Sequence, residues 1–134
     1  MRYLGLDLGT KTLGLAISNG MIATSLKTIR YNDLNQLIKE LEKVIDEEKI
    51  DLLVLGLPKN MNNTIGPRAE MTLEFKKMLE NLNYQVVLQD ERLSTVSAHN
   101  YMLEADLSRK KRKEKVDSLA ATIILQTFLD KKGK

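Results

Sequence analysis

Hydrophobic residues form two short runs at the start of the chain, over residues 3–8 and 12–18, and a third apolar run follows over 21–30. Asn19-Gly20 separates the second run from the third. This dipeptide is the strongest short hairpin signal, because a type I′ turn needs positive φ at both central residues. The pattern predicts three strands, of which at least the last two are antiparallel.

The hydrophobic period then changes, which predicts a helix over 33–48 with Asn32 as its N-cap. The apolar stripe of this helix consists of Leu34, Leu37, Ile38, Leu41, Val44 and Ile45. Residues 50–56 are almost continuously apolar, as is typical of a strand covered on both faces. A polar loop, 58–66, leads to Pro67, which suits the first turn of a second helix.

The last third of the chain continues the alternation of predicted strands and helices. Residues 85–89 predict a fifth strand, and Ser94 or Thr95 can cap a helix reaching about Ala105. The basic run 109–115 is interpreted as a linker before a last helix that starts near residue 116. The order βββ-α-β-α-β-α-α predicts an α/β fold with a mixed five-stranded sheet: an antiparallel β1-β2-β3 meander, then parallel strands, with helices on both faces.

Composition limits the classes of protein. A chain of 134 residues predicts one domain over 1–130, followed by a basic tail at 131–134. The chain has no cysteine and one histidine, which excludes disulfides, thiolate catalysis and zinc sites built on Cys or several His. Asp and Glu are therefore the natural metal ligands.

Charge and hydropathy predict a cytoplasmic protein without a membrane partner. No apolar stretch approaches the roughly 20 residues that span a bilayer, and the N-terminus lacks the long apolar run of a signal peptide. The net charge is only +3, from 21 basic and 18 acidic residues. Six of the seven residues over 109–115 are basic, however, which favours contact with a phosphate backbone over a merely solvated loop.

Three acids stand at unusual places in this pattern. Asp7 interrupts an apolar run, although Asp is depleted in strands. Glu91, with Asp90 beside it, follows a predicted buried strand, and sites in open sheets form at such carboxyl ends. Asp117 opens the last predicted helix, one turn before Ala121 on its inward side.

Each acid also has a purely structural explanation. Asp7 can turn the chain before Gly9, and Asp117 can complement the positive end of its helix. Asp90 and Glu91 can form a solvated pair. If the acids converge, their like charges require a cation, and an all-oxygen site selects Mg²⁺ or Mn²⁺. Two such ions are the standard means of phosphodiester hydrolysis.

Four motifs occur in order along the chain: GLDLGTKTLGLA at 5–16, GLP at 56–58, DERLST at 90–95 and VDSLAA at 116–121. Together they resemble the YqgF family, also called RuvX, whose relatives are the RuvC Holliday-junction resolvases of the RNase H-like superfamily. The resemblance covers essentially the whole chain. It implies a five-stranded RNase H-like domain and a nuclease that depends on a divalent metal, which agrees with the two Mg²⁺ or Mn²⁺ ions that the acids favour.

The resemblance also implies a substrate and a site. The family's task is maturation of the 5′ end of pre-16S rRNA, so pre-rRNA is the expected partner; resolution of branched DNA is the alternative, and the ribosomal particle and the oligomeric state stay open. Asp7, Glu91 and Asp117 match the catalytic, metal-binding acids, with Asp90 as the alternative to Glu91. The candidate contacts to nucleic acid are Lys11, Arg92, Arg109, Lys110, Lys111, Arg112 and Lys113.

Two departures and two rival hypotheses accompany this interpretation. Asn19 and Asn62 stand where the family usually carries Asp. The change at Asn62 weakens a metal role for the loop after the GLP motif, whereas Asn19 suits a turn. The hairpin around Asp7 also resembles that of actin-like ATPases, but those proteins need a second lobe for which this chain is too short. A non-catalytic nucleic-acid-binding module is the other alternative, and the three intact acids argue against it.

Overall fold

The structure is a computed structural model that describes residues 1–58, 66–90 and 109–132, with the side chains of the last range described from residue 118 onward. The elements are β1 (Tyr3–Leu8), β2 (Thr12–Ser18), β3 (Thr24–Arg30), α1 (Leu34–Glu48), β4 (Leu52–Leu57), α2 (Pro67–Asn81), β5 (Val86–Asp90) and α3 (Arg109–Lys132). All five predicted strands are present. The helix predicted after Ser94 or Thr95 lies outside the described residues.

The five strands form one sheet in the order β3-β2-β1-β4-β5. The pairs β1–β2 and β2–β3 are antiparallel, whereas β1–β4 and β4–β5 are parallel. This arrangement confirms the predicted mixed sheet. It also places the carboxyl ends of β1, β4 and β5 at one edge, where sites in sheets with parallel strands form.

Alternation along β1 divides the molecule into two packed faces. Leu4, Leu6 and Leu8 belong to a core shared with α1 and α2. Tyr3 belongs to a second core shared with α3. Gly5 and Asp7 alternate onto the Tyr3 side, so the acid in β1 lies on the face that α3 covers.

The connection between β2 and β3 differs from the predicted turn. The two strands are separated by residues 19–23, and only Gly20 of the Asn19-Gly20 pair has a positive φ, at 121°. A type I′ turn therefore does not form. Gln126 of α3 explains the longer loop, because its side chain accepts a 2.8 Å hydrogen bond from Ala23 N and donates a 3.2 Å bond to Met21 O.

The start of α1 also corrects the predicted cap. Asp33, rather than Asn32, is the N-cap residue, and its Oδ1 accepts a 2.8 Å hydrogen bond from Gln36 N. Gln36 Oε1 in turn accepts a 3.3 Å bond from Asn32 N. The Asp33 side chain thus satisfies an amide of the first turn, while the Gln36 side chain reaches back to the amide before the cap, one residue short of a standard capping box.

The basic run is helical, so its interpretation as a linker is wrong. The α3 helix begins at Arg109 and includes the whole run 109–115. Lys and Arg have high helix propensity, and neither Gly nor Pro interrupts these residues. The prediction that Asp117 opens the helix is also wrong, because position 117 lies eight residues after Arg109.

Candidate active site

Asp7 lies at the carboxyl end of the central strand and is 5% exposed. Its Oδ1 has almost no solvent contact. A carboxylate is costly to bury unless a cation or hydrogen-bond donors compensate its charge. Asp7 is paired within β1 with Gly14 of β2, which contradicts the alternative that it turns the chain before Gly9. The structural explanation of this acid as a turn residue therefore fails.

Glycines flank Asp7 on the neighbouring strands. Gly14 is its partner on β2. The parallel register of β1 with β4 runs through Leu6 opposite Leu55, and one step further it brings Gly56 beside Asp7. Strand glycines often mark a place where a ligand or another backbone comes close. The carboxylate oxygens of Asp7 and these surroundings fit a hard cation.

Arg68 of α2 lies beside Asp7, although no sequence motif points to it. Its Nη2 donates a 2.9 Å hydrogen bond to Leu8 O and lies 3.8 Å from Asp7 Oδ1. The Arg68 side chain is 47% exposed. The available signal was its position directly after Pro67, since a helix that follows a parallel strand begins at the carboxyl edge of the sheet.

Tyr31 makes two hydrogen bonds to the turn between β1 and β2. Its hydroxyl donates a hydrogen bond to Gly9 O, and its amide donates a 3.0 Å bond to Lys11 O. Burial raises the pKa of the Tyr31 hydroxyl above its ordinary 10.0, and the positive charge of Arg68 partly offsets this rise. Lys11 is exposed at this turn, next to the end of β1. The predicted phosphate contact of Lys11 is therefore sterically accessible.

The strand β5 ends at Asp90, the alternative to Glu91 as a metal ligand. Asp90 is opposite Leu57 of β4, whereas Gln89 is opposite Gly56 and is buried. Glu91 and Arg92 lie outside the described residues, as does Asn62. Asn19 is exposed in the loop after β2.

The α3 helix carries the remaining candidates. The structure describes the backbone of this helix from Arg109 but its side chains only from residue 118. The candidates before that residue are therefore placed by their backbone alone: Arg109, Lys110, Lys111, Arg112, Lys113 and Asp117. Because the effect of the helix dipole falls off within the first turn, the observed position of Asp117 removes the explanation that it complements the helix N-terminus.

Among the residues that the structure describes, no three acids or histidines assemble into a metal-binding group. Only Asp7 of the three proposed ligands has a described side chain.

None of the described helices combines the length and the apolar character that crossing a membrane requires.

Comparison with known proteins connects this geometry to a family. The model of the RuvX family, described as "Holliday junction resolvase", matches residues 1–131. A protein of Clostridium botulinum (strain Alaska E43 / Type E3), named "Putative pre-16S rRNA nuclease", is 53% identical over 137 residues and the match covers 100% of both chains. A protein of the same name from Geobacillus sp. (strain WCH70) is 50% identical over 137 residues, covering 98% of this chain and 99% of the relative.

Solved structures support the fold independently. Thermus thermophilus RuvC in complex with a Holliday junction substrate has a TM-score of 0.61 at 14% identity, covering 100% of this chain and 97% of that one. The fowlpox virus resolvase in complex with Holliday junction DNA has a TM-score of 0.59 at 12% identity, with 100% of both chains covered. The mixed sheet is thus the RNase H-like fold of these resolvases, and the whole-chain match shows that the protein belongs to the RuvX family.

Proposed function

We propose that this chain is a metal-dependent nuclease that hydrolyses phosphodiester bonds at the 5′ end of pre-16S rRNA. The observation that carries the proposal is the buried carboxylate of Asp7 at the carboxyl end of the central strand, in a chain whose relatives are named for this activity. Such a substrate implies a cytoplasmic site of action, with the ribosomal particle as the physical context of the RNA. The proposed metal ligands are Asp7, Glu91 and Asp117.

The packing of α3 against β1 supports the inclusion of Asp117. Tyr3 lies 6.0 Å from Phe128 between ring centroids, whereas a Cβ on Gly5 would lie 2.9 Å from Ala121 O. The helix therefore runs antiparallel to the strand. Two strand residues advance about 6.7 Å and four helix residues about 6 Å, so the step from Gly5 to Asp7 corresponds to the step from Ala121 to Asp117.

Strand alternation supports Glu91 over Asp90. Val87 packs in the core on the α3 side, and Gln89 alternates onto the same side. Asp90 is paired with Leu57, on the side of α1 and α2. If the strand alternation continued for one more residue, that residue would lie on the α3 side, which is the side of Asp7. We therefore assign Glu91 as the second ligand.

The three carboxylates would supply the all-oxygen donor set that Mg²⁺ and Mn²⁺ prefer, with two ions as the proposed complement. Bound divalent ions supply Lewis-acid stabilisation of the charge that builds on a phosphodiester during hydrolysis. The chain contributes the fixed position of Asp7, which burial and the strand ladder restrain. Lys11, Arg92 and the basic stretch 109–113 would bind phosphates along the substrate.

Resolution of branched DNA is the second candidate function. The family description and the junction-bound structural neighbours favour it, because both refer to Holliday junctions. An RNA and a DNA substrate would use the same acids and would differ in the contacts beyond the cleaved bond.

Cleavage of a pre-16S 5′-leader RNA and of a four-way DNA junction, measured side by side with Mg²⁺ or Mn²⁺, tests the proposal. We expect metal-dependent cleavage of the RNA, reduced to background in Asp7→Asn with RNA binding retained. Asp46→Asn, which neutralises an exposed acid of α1, should cleave like the wild type. Cleavage of the junction alone would select the second function. Binding without cleavage of either substrate would support the non-catalytic module.

A further inference from the structure

The guanidinium of Arg68 contacts two groups at the end of β1. It is anchored by the 2.9 Å hydrogen bond to Leu8 O, and it lies 3.8 Å from Asp7 Oδ1, beyond hydrogen-bond range for that pair of atoms. The Arg68 side chain is 47% exposed and that of Asp7 only 6%. A fixed positive charge therefore lies at the solvent side of a buried carboxylate.

The positive charge of Arg68 repels cations and attracts anions. Arginine stays protonated in proteins, and its planar group carries five donors arranged to match a phosphate. A divalent cation on Asp7 would experience like-charge repulsion from Arg68 at this distance. An anion beside that cation would instead be attracted by both. The anion that the proposed function brings to this place is a backbone phosphate.

We propose that Arg68 is a further residue of the active site and binds a phosphate of the nucleic acid beside Asp7. The inference rests on the proposed function, because it takes the metal and the nucleic acid as the ligands. Its geometric basis is separate: the Leu8 O contact orients the guanidinium at the strand end, and the exposed part of the side chain is accessible to a strand crossing this edge. Arg68 thereby selects for a phosphate and against a metal ion alone.

Replacement of Arg68 should change two affinities in opposite directions. In Arg68→Ala, the Kd for a pre-16S 5′-leader RNA in metal-free buffer should rise about tenfold, because a charge-assisted contact is lost. The Kd for Mn²⁺, titrated by electron paramagnetic resonance without RNA, should fall severalfold because a repelling charge is removed. Damage to the fold would weaken both.

Two further variants control for charge and folding. Arg68→Lys keeps the positive charge, so its Mn²⁺ affinity should stay near wild type while RNA binding recovers only in part. Lys77→Ala removes an exposed charge from the same helix and should leave both affinities unchanged. Weakening of both affinities in Arg68→Ala, or values equal to those of Lys77→Ala, would contradict the inference.

The RNA and Mn²⁺ titrations measure binding without turnover. They therefore test the role of Arg68 separately from the proposed nuclease function. If the wild type binds Mn²⁺ and RNA but cleaves no substrate, the proposed function fails and the affinities still decide the role of Arg68. If the wild type cleaves but the Arg68 variants match the control, only the inference fails. Absence of Mn²⁺ binding to the wild type overturns both.

Discussion

Gly5 determines how closely α3 approaches the central strand. A Cβ built on this residue would lie 2.8 Å from Leu125 Cβ and 2.9 Å from Ala121 O. Neither neighbour can rotate away, since one atom is a Cβ and the other belongs to the helix backbone. The absence of a side chain at Gly5 therefore sets the distance between the helix and the strand that carries Asp7.

Replacement of Gly5 by Ala should destabilise the protein and impair cleavage together. The added methyl must push α3 from the sheet, and overpacking of this kind costs about 1–3 kcal/mol. The same shift would move position 117 relative to Asp7. Thermal unfolding and metal-dependent RNA cleavage measure the two effects.

Gly20→Ala is the matched control for Gly5→Ala. Gly20 has a φ of 121°, so alanine there is strained, but its Cβ would meet only Tyr3 Cε2 at an ordinary 3.8 Å. Stability should fall while cleavage at a temperature well below the transition is kept. If Gly5→Ala retained full stability, or lost no more activity than Gly20→Ala, close packing at Gly5 would not position the site.

The sequence pattern predicts Asp7 as a site residue but gives no local signal for Arg68, and the difference has a physical reason. A carboxylate inside an apolar strand conflicts with burial, and this conflict is visible in the local pattern. An arginine in the first turn of an amphipathic helix conflicts with nothing in the local pattern. Its significance arises only when the parallel sheet brings the start of α2 next to the end of β1, 2.9 Å from Leu8 O.

At the scale of elements, the strands were predictable and their connections were not. Apolar runs are set by burial in the sheet, so the strand positions followed from the sequence. The loop after β2 instead makes hydrogen bonds at Met21 O and Ala23 N with Gln126, more than 100 residues away, which no local pattern can indicate. The run of charge predicts a loop before α3, but its residues are good helix formers and α3 begins at Arg109.

The helical state of the basic run makes its proposed role measurable. Replacing Lys110, Lys111 and Lys113 together by Gln keeps helix propensity and removes three charges. If these lysines bind phosphates, affinity for a single-stranded leader RNA should fall, and the slope of log K against log salt should become shallower by about two. Fluorescence anisotropy over a salt series measures this slope.

Three lysines on other helices provide the comparison. Lys39 and Lys43 of α1 and Lys77 of α2 are exposed, and their replacement by Gln removes the same total charge. The salt slope of that variant should stay near the wild-type value. Equal changes in both triple variants would show that net charge, rather than the start of α3, determines binding.

At the scale of the molecule, topology explains how acids far apart in sequence become candidates for one site. The parallel strands β1, β4 and β5 end at the same edge of the sheet, with β4 between the other two. The α3 helix then crosses the face that carries Asp7, in the opposite direction to β1. The proposed ligands thus come from a central strand, an edge strand and the last helix.

A metal bound by three separate elements should stabilise the folded chain as a whole, because the unfolded chain cannot assemble the ligands. At a hundredfold excess over its Kd, such an ion adds about 2.7 kcal/mol to the free energy of unfolding. We expect Mn²⁺ to raise the thermal transition of the wild type and of Asp46→Asn, and to leave that of Asp7→Asn unchanged. A transition raised by ATP but not by Mn²⁺ would contradict the nuclease assignment and favour the actin-like ATPase alternative. An equal Mn²⁺ effect in Asp7→Asn would place the ion elsewhere, since the carboxylate of the central strand would then not be a ligand.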